Sequence, residues 1–229
     1  MSIRWPAVLV VAGLSGVHIP DARAQSVDGR LPGRFEFAIG PVWLGRTPFG
    51  TSDASETAAD GGRFRLFSTS TELKSASALE ARVGVRMTRA LQVEAVAAYS
   101  VPVLTTKTSG DVENAAPVSA TEPITQLTIQ GAIVAHLTAW HVGRGGVPFV
   151  TAGAGYLRQL HQSHTLVETG ETYHLGGGVK YLFLSRAAAR FKGLGVRAEV
   201  RAIAGTKGIA IDHRAHISPA LAASIFVRF

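Results

Sequence analysis

Residues 79–88 alternate without a break. Leu79, Ala81, Val83, Val85 and Met87 are apolar, and Glu80, Arg82, Gly84, Arg86 and Thr88 between them are polar or glycine. Successive side chains of a strand point to opposite faces, so a period of two gives this segment one oily face and one face with charges of both signs. A turn at 88–90 follows. Leu91, Val93, Ala95, Ala97, Tyr99 and Val101 then alternate with Gln92, Glu94, Ala98 and Ser100. The oily faces agree across the turn, as an antiparallel hairpin requires.

The same rhythm predicts strands elsewhere. Residues 34–44 put Phe35, Phe37, Ile39 and Trp43 on one face, and 124–139 oppose Leu127, Ile129, Ile133 and Leu137 to Gln126, Thr128, Gln130 and His136. In 173–184, Leu175, Val179, Tyr181 and Phe183 oppose His174 and Lys180. In 193–204, Leu194, Val196, Ala198 and Val200 oppose Arg197, Glu199 and Arg201. In 219–229, Leu221, Ala223, Ile225, Val227 and Phe229 oppose Ser224 and Arg228. Residues 147–160 also read as a strand, but both parities are apolar or small and its face stays open. That makes eight strands, each near or above the roughly 9–11 residues a tilted membrane strand needs.

Alternation alone fits a soluble sandwich and a membrane barrel equally. In a sandwich the oily face is the core; in a membrane barrel it meets lipid and the charges are enclosed. Three features favour the barrel. Links expected to be long, at 46–78, 102–123, 161–172 and 205–218, alternate with short ones near 88–90, 140–146 and 185–192, the pattern of external loops and internal turns. Phe35, Phe37, Tyr181, Phe183 and Phe229 fall toward one rim and Trp43, Tyr99 and Tyr173 toward the other, forming two aromatic girdles. The chain ends on Phe229, with apolar residues at every second position back to Leu221. The expected fold class is therefore all-β, an eight-stranded antiparallel up-and-down transmembrane β-barrel over 34–229. Its lumen is filled by Glu80, Arg82, Arg86, Glu94, Lys180, Arg197, Glu199 and Arg201, because eight strands leave room for side chains and little else.

The first residues read as an export leader. Arg4 supplies a positive start, 5–17 is an apolar run, and Ala22-Arg23-Ala24 is an A-x-A cleavage pattern. The apolar run is shorter than the roughly 20 residues of a spanning helix. Residues 1–24 are expected to be a signal peptide cleaved near Ala24, and 25–33 a tail before the barrel. No later stretch is long and apolar enough for a spanning helix. The chain has 23 Lys+Arg against 16 Asp+Glu and no cysteine. Without cysteine there is no disulfide, thiolate metal site, thiol nucleophile or lipidated N-terminal cysteine. The cations are spread singly, with no basic run or interleaved aromatics, so nucleic acid is not an expected partner. Anionic membrane lipid is.

The ending Ser224-Ile225-Phe226-Val227-Arg228-Phe229 resembles the C-terminal signal that outer-membrane barrels present to their assembly machinery, with Phe229 as its key element. Pro148-Phe149-Val150-Thr151-Ala152-Gly153-Ala154-Gly155-Tyr156 resembles a strand common in small barrels related to the transmembrane domain of outer-membrane protein A. The segments 176–181 and 195–201 resemble the strands that follow it. The resemblance implies a monomeric, porin-like barrel in the outer membrane of a Gram-negative bacterium, inserted by the assembly machinery through its last strand. It implies structural, adhesive or host-interacting work, and no cofactor.

His161-Gln162-Ser163 offers an alternative. It resembles the H-x-S pair of barrel enzymes that hydrolyse acyl esters of lipid A. His161 would be the base, Ser163 the nucleophile, and Glu168 or Glu171 the group orienting the imidazole. The triplet is short, and His164 stands where that family commonly has Asn. His161, His164, His174, His213 and His216 fall in or beside the last two expected loops, where a metal reading competes with plain solvation; no metal site is expected. Neither Gly176-Gly177-Gly178 nor Gly143-Arg144-Gly145-Gly146 precedes a helix, so neither is a phosphate loop. Residues 61–67 in the first loop either cover the barrel mouth or extend its hairpin outward.

Overall fold

A computed structural model describes residues 34–110, 116–143, 145–161, 166–185, 192–207, 209 and 215–229. The leader 1–24, the tail 25–33, Ser163, His164 and His213 lie outside these residues. Twelve strands are present: β1 (Phe35–Leu44), β2 (Thr47–Thr57), β3 (Arg63–Leu73), β4 (Ala76–Arg86), β5 (Leu91–Ser100), β6 (Val103–Ser109), β7 (Val118–Pro123), β8 (Thr125–His136), β9 (Gly146–Leu160), β10 (Val167–Ser185), β11 (Gly193–Lys207) and β12 (His216–Arg228). Eight close a barrel in the order β1-β12-β11-β10-β9-β8-β5-β4, every pairing antiparallel and each strand beside its barrel neighbour in sequence.

The two faces of each strand sort as a membrane barrel requires and a sandwich forbids. Val83, Val93, Val196 and Ile225 point outward, 43–56% exposed, while Arg82, Glu94 and Arg197 are 2–4% exposed inside. The oily faces do not converge on a shared core. The start of β1 and the end of β12 weld the seam. The Phe229 amide donates to the Phe35 carbonyl (2.9 Å), and the Phe229 carbonyl accepts from the Arg34 amide (2.8 Å). The Phe229 ring meets Phe37 edge-on at 5.8 Å. Closure removes the unpaired edges an open sheet would expose.

The expected long links are corrected in two ways. First, 46–78 and 102–123 are largely strand: β2, β3, β6 and β7 form a second four-stranded sheet. It continues the barrel wall outward. Leu44↔Ala76 in the barrel is followed by Thr47↔Leu73 above it, Ala78↔Ser100 by Leu73↔Leu104, and Ser100↔Gln126 by Val103↔Pro123. The segment 61–67 thus extends a hairpin outward and does not cover the mouth. These strands are rich in Ser and Thr on both faces, so they carry β-propensity without hydrophobic alternation. Second, β10 begins at Val167 and β11 runs to Lys207, which leaves only 161–166 and 208–215 as links. Beyond the apolar belt a strand needs no oily face, and the period-two signal ends before the strand does.

β9 resolves its open face. Phe149, Thr151, Leu157 and Gln159 point inward, and Val150 and Tyr156 outward. Its neighbour β10 passes close to β11 through glycine. A Cβ on Gly178 would fall on the Ala198 carbonyl oxygen and against Glu199 and the Phe149 ring. Gly178→Ala should therefore destabilise the barrel by about 1–3 kcal/mol, as overpacking does. Gly131→Ala, where a Cβ meets nothing within 4 Å, should stay within about 0.5 kcal/mol of the parent. Urea unfolding in phospholipid vesicles reads both; equal effects would contradict this backbone packing.

Candidate functional site

The lumen has two compartments, one at the end where β1 begins and β12 finishes, the other at the end carrying the second sheet. In the first the inward positions of β1, β4, β5, β10, β11 and β12 interlock as ions. Glu94 is the hub. It accepts from Arg82 Nη1 (2.8 Å), from Arg197 Nη1 (2.7 Å) and from Gln92 Nε2 (2.9 Å), with Lys180 Nζ at 3.5 Å. Glu36 accepts from Lys180 Nζ (2.6 Å) and Arg228 Nε (2.8 Å). Glu80 accepts from Arg82 Nε (2.6 Å) and Arg201 Nη2 (2.8 Å). Glu199 accepts from Arg197 Nε (2.9 Å) and lies 3.2 Å from Arg82 Nη2.

Two inward aromatics complete this layer. The Arg197 guanidinium carbon lies 4.4 Å from the Phe149 ring centre, and that of Arg228 lies 4.8 Å from Phe226. Lys180 Nζ stands between the rings, 5.7 and 5.8 Å from their centres. Such placements add cation–π attraction to charge pairing. All these ionic side chains are buried, so the layer fills the barrel cross-section. Arg86 is half-buried at its margin, within electrostatic reach of Glu36 and Arg228.

Above the ions the lumen opens into a cavity toward the second sheet. Its volume is about 100 Å³, with a mouth open to solvent. Glu80 and Arg201 form its floor. One wall is largely apolar, with Val42, Leu44, Leu73, Ala78 and Ile203 beside Lys74, His216 and Ser218; the opposite wall carries Gln126, Thr128, Gln130, Gln159 and Thr172, with Leu157 among them. The amides are held in place. Gln159 Nε2 donates to Gln126 Oε1 (3.2 Å), Gln130 Nε2 donates to Thr172 Oγ1 (3.1 Å), and His174 Nδ1 lies 2.8 Å from Gln130 Oε1.

The structure places Glu80, Arg82, Glu94, Lys180, Arg197, Glu199 and Arg201 together in the lumen, with Arg86 at the edge. The sequence reading did not single out Glu36, Gln92, Phe149, Phe226 and Arg228 as members. Glu36 was nonetheless legible as a lone acid between Phe35 and Phe37, and Arg228 as an inward position of the last strand. His174 lies on the inward face expected for 173–184, 5% exposed inside β10, and the strand starts earlier than expected, at Val167. His216 begins β12 and packs edge-on against Phe49 at 5.1 Å. Among the described residues, no group of three or more His, Cys, Asp and Glu side chains is arranged to hold a metal.

His161 sits at the end of β9 between two carboxylates. Its Nδ1 lies 3.0 Å from Glu122 Oε2 on β7, and its Nε2 lies 3.8 Å from Glu168 Oε1 on β10. Glu171 is exposed on the outer face and accepts from the Tyr173 hydroxyl at 3.0 Å.

No protein-family model and no curated protein sequence matches the chain. Solved structures do. Neisserial surface protein A (NspA) aligns with a TM-score of 0.51 at 12% identity, covering 85% of this chain and 97% of that one. The outer membrane protein OprG from Pseudomonas aeruginosa aligns with a TM-score of 0.51 at 15% identity, covering 88% of this chain and 98% of that one. At these identities the likeness concerns the backbone. The closed antiparallel eight-strand circuit, the outward oily faces and the enclosed ions agree with it: the chain has the fold of the small outer-membrane β-barrels.

Proposed function

We propose that this protein is a monomeric outer-membrane barrel of a diderm bacterium that conducts no solute and acts through the sheet it raises above the membrane. The observation that carries the reading is the division of labour along the barrel axis. At one end interlocked Glu36, Glu80, Glu94 and Glu199 with their cations fill the cross-section. At the other, β2, β3, β6 and β7 project with Ser, Thr, Arg63, Arg65 and Lys107 exposed. A sealed lumen supports a structural or surface-contact role over transport; closure leaves the barrel strands no edge for pairing with a second copy, which supports a monomer within the membrane, and β2 and β7 are the edges of the second sheet. Export through the leader and insertion through the strand ending at Phe229 complete the proposed route.

Of the His161 and Ser163 pair of the hydrolase alternative only His161 is described, since Ser163 lies outside the described residues. A serine base needs one ring nitrogen for the hydroxyl and the other for the orienting acid. Here Nδ1 has its carboxylate in Glu122 at 3.0 Å, while Nε2 stands 3.8 Å from Glu168 and among the described residues takes no hydrogen bond, from a serine hydroxyl or any other group.

Trypsin added to intact cells should cleave within β3 and β6, at Arg63, Arg65 or Lys107, and leave a protected barrel. Purified protein in planar bilayers should show no large stable conductance. Cleavage only after lysis would remove the surface reading, and a steady open pore would remove the sealed one.

A further inference from the structure

We infer that the cavity between the ionic floor and the second sheet is a binding site for a small uncharged molecule with one apolar side and one hydrogen-bonding side, such as a phenol or an aromatic amide. The inference rests on the barrel and its seal, and stands apart from the surface role proposed above.

Four observations select this chemistry. The two walls differ: Val42, Leu44, Leu73 and Ile203 face Gln126, Gln130, Gln159 and Thr172 across the space. An apolar molecule would strip water from the amides without replacing their hydrogen bonds, and a fully polar one would leave the aliphatic wall unmatched. Side-chain amides both donate and accept, so hydroxyl and amide groups each find partners. The floor ions are already paired, Arg201 Nη2 to Glu80 Oε2 at 2.8 Å. At the floor a charged ligand would have to break that buried pair, which disfavours carboxylates and amines there, and Lys74, also in the lining, is exposed to solvent. Finally, the depth is limited. Arg201 at the floor and Gly205 at the mouth are four residues apart on β11, roughly 14 Å along the strand. That length admits one substituted ring and excludes a long acyl chain. The seal makes the pocket blind, so its occupant enters and leaves through the sheet end and does not cross the barrel.

The test uses full-length protein in lipid nanodiscs, which avoids detergent competing for the cavity. The probe is 4-hydroxybenzamide, followed through the side-chain amide NMR signals of Gln126, Gln130 and Gln159. Saturable shifts of these signals are expected. 4-Hydroxybenzoate and toluene should each bind at least tenfold more weakly. Ala98→Trp, which fills the space from the β5 wall, should abolish the shifts. Gln126→Leu leaves the cavity open and should weaken the amide probe at least fivefold while sparing toluene, so it carries the test should the Trp variant fail to fold. No saturable shift, tighter binding of the benzoate, or an affinity unchanged in either folded variant would overturn the assignment.

Discussion

Replacing Glu94 by alanine is expected to lower the stability of the barrel by about 3–5 kcal/mol, the loss seen when one member of a buried ion cluster is removed. Glu94 is 2% exposed and touches Arg82, Lys180 and Arg197 at once. Among the described residues the buried layer holds four carboxylates (Glu36, Glu80, Glu94, Glu199) against five cations (Arg82, Lys180, Arg197, Arg201, Arg228). The parent already has one cation in excess. Without Glu94 the imbalance is three against five, and three cations lose their common counter-charge where water cannot replace it. Unfolding in urea from phospholipid vesicles, followed by heat-modifiable gel mobility, reads the change. Glu94→Gln keeps the shape and an oxygen acceptor, so its loss should be smaller. Removing the facing cation as well, in Glu94→Ala with Arg197→Met, should recover part of the loss, because charge balance returns toward the parent. A Glu94→Ala barrel within about 0.5 kcal/mol of the parent, the range of ordinary surface changes, would show that these ions fill space without holding the barrel.

The parts of this architecture legible in the sequence are those a two-sided environment writes into it. Val83 beside Arg82 and Val196 beside Arg197 are forced into alternation because lipid on one side and a shared ionic lumen on the other reward opposite chemistry. The eight barrel strands and their inward charges follow from that contrast. Where both sides of a strand meet water, no contrast exists. Thr51, Ser70, Thr106 and Thr121 lie in strands of the second sheet with no period to betray them, and the first turns of β10, such as Thr169 and Gly170, were lost for the same reason. His174 was legible as an inward residue because the oily face of β10 starts beside it, at Tyr173 and Leu175.

The lumen membership was partly hidden by a different cause. Phe149 and Phe226 are apolar yet point inward, because a cation over an aromatic face is satisfied there. Parity alone assigns a phenylalanine to lipid unless its neighbours on adjacent strands are known. Across the barrel, Lys180 meets Glu36 although 144 residues separate them. That pairing comes from closure of β1 on β12 and β4, which no local pattern encodes. The cavity above the ions is of the same kind. Its apolar wall comes from β1, β3, β4 and β11, its amide wall from β8, β9 and β10, and only the circuit of the barrel sets them face to face.

Val83→Arg should destabilise the protein in a bilayer by about 2–4 kcal/mol, the cost of an arginine on the lipid face near the membrane centre. Val83 is an outward residue of β4, between Phe37 of β1 and Ala95 of β5 and beside the buried Arg82. Leu79→Arg, on the same face beside Tyr99 of the aromatic rim, should cost only about 0–1 kcal/mol, since the long side chain reaches the interface. Val118→Arg on β7, equally outward but on the second sheet, should change stability by less than about 0.5 kcal/mol. The gradient matters more than any one value. A barrel whose outer face met water would tolerate arginine alike at all three positions, because an exposed valine and an exposed arginine differ little there. Unfolding free energies measured in vesicles for the three variants therefore report depth, and a flat response would remove the membrane from the account while leaving the closed barrel intact. A steep response confined to Val83 places the hydrocarbon at the height of the ionic layer. The burial of Glu94 and its partners is then doubly enforced, by the packed lumen inside the wall and by lipid outside it.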